Sequence, residues 1–257
     1  MPNLSVAALS THKAVSVPTI KQSRSWGPWG FWATVGWVAF ACVVSLAGLF
    51  LFEFGRGIHL TRSAYPGEDP GELVIDILVV LVLLGAARSS RLPVRNYFAL
   101  QRPRPIDVNY WVAGMSIAAA MAAMERLLFN PFGLGTSDTR YMLDVYNLAR
   151  SAGTLPILWA VVVIFAPVCE ELVFRGFIFR GWSQTSLGPV GAIALTAVLF
   201  GLMHVQYSWS GIFDVMVFGL VVGWMRWRTE SIVAPMLLHF TINFTWMVLL
   251  TLGLISI

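Results

Sequence analysis

The feature that most restricts this chain is a succession of apolar runs, each close to the length that crosses a lipid bilayer. A helix rises about 1.5 Å per residue, so about 20 apolar residues span the hydrocarbon core. Seven stretches approach that length: 30–53, 72–87, 109–128, 154–176, 188–206, 211–227 and 232–256. In hydrocarbon the backbone N–H and C=O groups have no water to bond, and a helix satisfies them within its own segment. The sequence therefore predicts an all-α protein, a polytopic transmembrane helix bundle of about seven spans. Composition agrees: 57% of the 257 residues are hydrophobic and 12% charged, against about 25% charged in a soluble domain.

A net charge of +4 raises the question of a nucleic-acid partner. The basic residues fall in short clusters between apolar runs, a pattern that sets topology, so no nucleic acid is expected. With the N-terminus in the cytoplasm, twelve of the seventeen lysines and arginines lie on the inner side, including Arg88, Arg91, Arg95, Arg102 and Arg104 in one loop. The positive-inside rule then puts the C-terminus outside. Residues 1–25 are polar and acid-free, as in a flexible cytoplasmic tail. The apolar run after them is too long and starts too late for a secretory signal, and a single arginine argues against a transit peptide. The expected location is a bacterial inner (plasma) membrane. Cys42 and Cys169 lie in apolar runs without paired spacing, so both read as packing residues.

Several local features carry smaller expectations. Asp76 sits inside the short second run, where it pairs with a neighbouring helix or lines a polar cavity. Pro235 predicts a kink or division near the start of the last span. Pro93, Pro103 and Pro105 make the arginine-rich segment 88–104 read as an extended loop on anionic headgroups. Residues 137–152 place Tyr141, Met142, Val145 and Leu148 on one helical face, as in a helix lying at the outer surface. Gly219 and Gly223 form a small-xxx-small pair suited to close helix contact.

The polar residues inside the apolar runs are the informative ones. Glu170, Glu171 and Arg175 interrupt an oily stretch, and ionisable groups are costly there unless they pair, face a protein interior or do chemistry. Glu171 and Arg175 are four residues apart with the acid first, the favourable order for a helical ion pair. Glu170 is turned about 100° away and has no local cation. His204 and His239 also lie in apolar runs, each at a four-residue interval from a second group, Phe200 and Asn243. Spacing of four puts both members on one helical face. Hairpins turning at 183–186 and 229–231 bring Glu170, His204 and His239 to comparable depth in the inner half of the bilayer.

Taken in order, Glu-Glu-x-x-x-Arg at Glu170, Glu171 and Arg175, Phe-x-x-x-His at Phe200 and His204, and His-x-x-x-Asn at His239 and Asn243 resemble the type II CAAX prenyl endopeptidase and bacteriocin-processing (CPBP) family of intramembrane proteases. The Phe-Arg-Gly run at Phe174 to Gly176 and the Trp-Arg-Thr-Glu-Ser segment at Trp227 to Ser231 add to it. The resemblance covers about residues 154–245. After the tail at 1–25, it implies a variable transmembrane region at 26–153 and a catalytic transmembrane core at 154–257 enclosing a buried cavity.

The resemblance also implies roles. Glu170 deprotonates a water for attack on a peptide carbonyl and His204 holds that water. His239 and Asn243 donate to the tetrahedral oxyanion, while Glu171 and Arg175 support the helix. No cofactor is favoured. A zinc ion on Glu170, His204 and His239 is the alternative, although the His-Glu-x-x-His helix of zincins is absent. The implied partners are a peptide or membrane-protein substrate and the lipid bilayer. A transporter or a non-catalytic scaffold would use the same buried groups, but the inverted repeats common in transporters are not readable.

Overall fold

The computed structural model describes residues 29–55, 70–90, 92–102, 104, 107–124, 127 and 136–255, and the expected tail at 1–25 lies outside them. Among the described residues the regular structure is entirely helical. In chain order the helices are α1 Phe31–Gly55, α2 Pro70–Ser89, a single turn α3 Val94–Tyr97, α4 Asp107–Met124, α5 Thr136–Ala152, α6 Leu155–Trp182, α7 Gly188–Leu202, α8 Trp209–Thr229 and α9 Val233–Thr251. Four of them, α1, α6, α8 and α9, are long and apolar enough to cross a membrane. Helix α7 is apolar but shorter, because the chain leaves the helix at Leu202 rather than continuing to residue 206. The protein is an integral membrane protein by these helices.

Two hairpins and a central helix organise the bundle. Helices α1 and α2 pack with Gly48 against Leu78, and Ser45 Oγ donates to Ile75 O at 3.3 Å. Helices α7 and α8 approach closely because their facing residues are small. A Cβ added at Gly219 would stand 3.0 Å from Ala197 Cα, and one at Gly223 3.1 Å from Ile193 Cγ2. The expected glycine pair is therefore a helix contact. Helix α6 runs through the centre and is not α-helical throughout. Residues Val161–Phe165 and Leu172–Ile178 are π-helical, so two wide turns flank the short α segment Ala166–Glu171 that carries both glutamates. π turns inside α-helices occur often at functional sites.

Three expectations change. Within the segment 88–104, residues 92–101 are not extended, since Val94–Tyr97 forms a helical turn. Tyr97 and Phe98 are buried against Phe177, and a Cβ at Gly176 would meet the Phe98 ring at 2.6 Å, so glycine makes that room. Two arginines tie the segment in through backbone carbonyls: Arg180 of α6 donates from Nη1 to Asn96 O at 3.1 Å and Tyr97 O at 3.2 Å, and Arg104 Nη2 donates to Thr229 O at 3.1 Å. Thr229 is the last residue of α8, whose terminal carbonyls have no helical donor. Helix α9 is continuous, because Pro235 falls in its first turn, where an N–H has no intrahelical partner to lose. Cys169 is buried as expected, but Cys42 is exposed on α1.

Helix α5 buries Val145, Tyr146 and Ala149 against α6 and α9, a face displaced slightly from the expected one. Its Asp138 reaches across to the chain before α8. It accepts Ser208 N–H at 2.7 Å and Ser208 Oγ–H at 2.6 Å, so that α5 is tied to the start of α8. Ser208 Oγ in turn accepts Gly211 N–H at 3.2 Å as the cap of α8.

Candidate active site

Glu171 points into the bundle and its side chain is 0% exposed. Its Oε1 accepts from Arg175 Nη1 at 3.1 Å, the expected pair one helical turn away. The same oxygen accepts from His239 Nδ1 on α9, also at 3.1 Å. Arg175 also meets Gly219 O, 3.3 Å from Nη2, and the Phe200 ring, whose centroid is 4.4 Å from its guanidinium carbon. Such a cation over an aromatic face is attracted by the ring quadrupole.

The helical rotation sends Glu170 to the other side of α6, where its side chain is 25% exposed. Its Oε2 lies 3.7 Å from His239 Nε2, an ion-pair distance longer than a hydrogen bond. His239 therefore stands between the two carboxylates, one at each ring nitrogen. Because Glu171 Oε1 only accepts, Nδ1 carries a proton and Nε2 is the atom turned to Glu170. Phe218 and Phe200 set the ring from its sides, with centroids 5.0 and 6.1 Å away.

His204 is not on a helical face with Phe200. It lies in the turn just past α7, where its Nδ1–H donates to Phe200 O at 2.8 Å and so closes one of the helix's last carbonyls. That contact again settles the tautomer and leaves Nε2 as an acceptor. Tyr207 stacks on the His204 ring at 5.7 Å and donates its O–H to Met142 Sδ at 3.5 Å. Burial pushes the Tyr207 phenol above its ordinary value, so it stays neutral. Asn243, one turn after His239, donates Nδ2–H to Val162 O at 2.8 Å.

Glu170, His204, His239 and Asn243 all line one cavity of about 540 Å³. Its other walls come from Gly114, Ile117 and Met121 of α4, Tyr141 and Met142 of α5, and Asp214 and Phe218 of α8, with Asp76 of α2 also present. The sequence named Glu170, Glu171, Arg175, His204, His239 and Asn243. It did not find Asp138, Tyr207, Asp214 or Phe218, which have no motif and reach the cavity only through the hairpin packing. Among the described residues no three His, Cys, Asp or Glu side chains converge to hold a metal ion.

The fold and the polar centre define a class, a helical integral-membrane protein with acid and imidazole groups facing a common cavity. Comparison with known proteins supplies the rest. Residues 152–245 match the family described as type II CAAX prenyl endopeptidase Rce1-like. The chain is 28% identical over 218 residues to the "Putative membrane peptidase YdiL" of Bacillus subtilis (strain 168), covering 83% of this chain and 84% of that one. It is 27% identical over 110 residues to the UPF0177 protein YxdF of Lactococcus lactis subsp. lactis (strain IL1403), covering 42% of this chain and 55% of that protein. No solved structure matches. The family implies a membrane endopeptidase of the CAAX type, and the chain is a protease.

Proposed function

We propose that this protease cleaves peptide bonds within or beside the membrane by a metal-free route in which Glu170 is the general base. The observation that carries the reading is the Glu170 carboxylate facing His239 Nε2 at 3.7 Å across the wall of a cavity that His204 and Asn243 also line. Water held by the free Nε2 of His204 gives a proton to Glu170, and its oxygen bonds to the substrate carbonyl carbon. The carbonyl electron pair moves to oxygen. With Nδ1–H committed to Glu171, the donor His239 offers that oxyanion is an Nε2–H, so it acts in its doubly protonated form. The second N–H of the Asn243 amide is the other donor. Collapse of the intermediate breaks the C–N bond, and Glu170 returns the proton to the leaving amine. A positioned base commonly contributes about 10²- to 10⁴-fold, and each oxyanion donor about 10²- to 10³-fold.

In this reading α2, α4 and α7 complete a seven-span bundle with a cytoplasmic N-terminus in a bacterial inner membrane. Residues 154–257 form the catalytic core and residues 26–153 a variable region. Helices α4 and α5 of that region line the cavity, which suits a role in choosing the peptide or membrane-protein substrate. The test is purified protein in liposomes with a membrane peptide. Glu170→Gln removes cleavage and leaves the fold and solute permeability as they were. Loss of wild-type activity on chelation, restored by zinc, would overturn the metal-free route.

A further inference from the structure

The end of the first π turn of α6 shows what holds Asn243. The last of its five-back backbone bonds runs from Ala166 N–H to Val161 O. The next carbonyl, Val162, has two possible backbone donors. Ala166 N–H, its α-helical partner, is already spent on Val161. Residue 167, its π-helical partner, is proline and has no N–H. A carbonyl so placed needs a donor from outside the helix, and the Asn243 amide on α9 provides one at 2.8 Å. Since a carbonyl only accepts, the contact also dictates that nitrogen, not oxygen, faces α6.

The second π turn gives the contrast. There Phe179 N–H bonds Phe174 O, and the next carbonyl, Arg175, takes Arg226 Nε–H at 3.2 Å. Its π-helical partner is residue 180, an arginine that has an N–H, so residue type does not deprive this carbonyl of a donor from its own helix. At Val162 residue type has removed the helix's own donor. One amide N–H is then committed, the plane of the group is set, and the second N–H is left to the cavity that Val162 and Asn243 both line.

We propose that Pro167 is a positioning residue for Asn243: by withholding an N–H from Val162 it leaves that carbonyl to anchor the amide in the orientation the reaction uses. The kinetic part of this rests on the protease reading above, whereas the structural part does not. The experiment uses the full chain in detergent micelles with Pro167→Ala, which supplies the missing donor, and Pro167→Ser as a second variant should the first fold poorly. The expected result is a fall in kcat of about tenfold, the scale of one orienting hydrogen bond, with KM unchanged. Asn243→Ala lowers kcat at least as far, and the double variant is no worse than Asn243→Ala alone. The Asn243 side-chain amide signal in a ¹⁵N–¹H spectrum, assigned by its loss in Asn243→Ala, moves in Pro167→Ala. An unmoved amide signal, an unchanged kcat, or losses that multiply in the double variant overturn the proposal. A wild-type preparation that cleaves no peptide while the amide signal still moves would sink the protease reading and leave the positioning of Asn243 standing.

Discussion

Glu170 and Glu171 are adjacent in the chain and share one helical turn, yet they occupy opposite kinds of surroundings. The Glu171 side is closed: the carboxylate is 0% exposed, and one oxygen takes both Arg175 and His239. The Glu170 side is open to the cavity at 25% exposure, with its nearest basic atom 3.7 Å away. A carboxylate held by a fixed cation and shut off from the cavity stabilises a helix but does not meet water. One that borders a cavity, with no hydrogen bond from a described side chain on it, keeps the capacity to accept a proton from water. A rotation of about 100° along α6 is enough to divide the two roles. The closed side is also finely balanced. Glu171 Oε2 and Arg175 Nε have no hydrogen-bond partner among the described residues, so the pair depends on a single short contact and its neighbours.

The strongest way to break this contrast is Glu170→Gln, expected to lower peptide cleavage about 10³-fold while the unfolding temperature in detergent stays put. A large drop in that temperature would mean that Glu170 belongs to the frame. On the closed side the order reverses. Glu171→Gln or Arg175→Met leaves a buried charge without its partner and should cost about 3–5 kcal/mol in denaturant unfolding. Replacing both, as Glu171→Leu with Arg175→Met, should recover much of that stability without recovering activity, because His239 Nδ1 has lost its acceptor. Recovery of both would show that the pair only supports the fold.

Smaller changes sharpen the same division. Gly219→Ala would set a Cβ 3.0 Å from Ala197 Cα beside the carbonyl that Arg175 uses. Overpacking of this kind costs about 1–3 kcal/mol, read again by unfolding. Ser208→Ala removes the cap of α8 and one hydroxyl donor to Asp138. The expected loss is about 1 kcal/mol, and the Glu171 side should be untouched. A larger loss in activity than in stability at Ser208 would show that tying α5 to α8 shapes the cavity.

Much of this was legible along the chain because its causes are local. Apolar length announces α1, α6, α8 and α9, since the bilayer sets how many residues a span requires. Interval four announces the Glu171–Arg175 pair, and small residues at Gly219 and Gly223 announce the contact of α7 with α8. The local rules fail where the partner is distant or the helix is irregular. His204 reads as helical from its spacing but lies past Leu202, because its ring closes the Phe200 carbonyl. Tyr97 and Phe98 read as part of a charged loop, since nothing nearby reveals the pocket that Gly176 and Phe177 open for them.

From residue order alone came the helical membrane class, the six polar positions of the proposed site and the ion pair within one turn, all matters of length and short spacing. Tertiary structure alone decided which ring nitrogen of His239 meets which glutamate, a contact spanning 68 positions, and which carbonyl takes Asn243, spanning 81. The physical reason is that a buried polar group must find a partner but does not specify where in the chain that partner lies. Only the packing of α6 against α9 selects it.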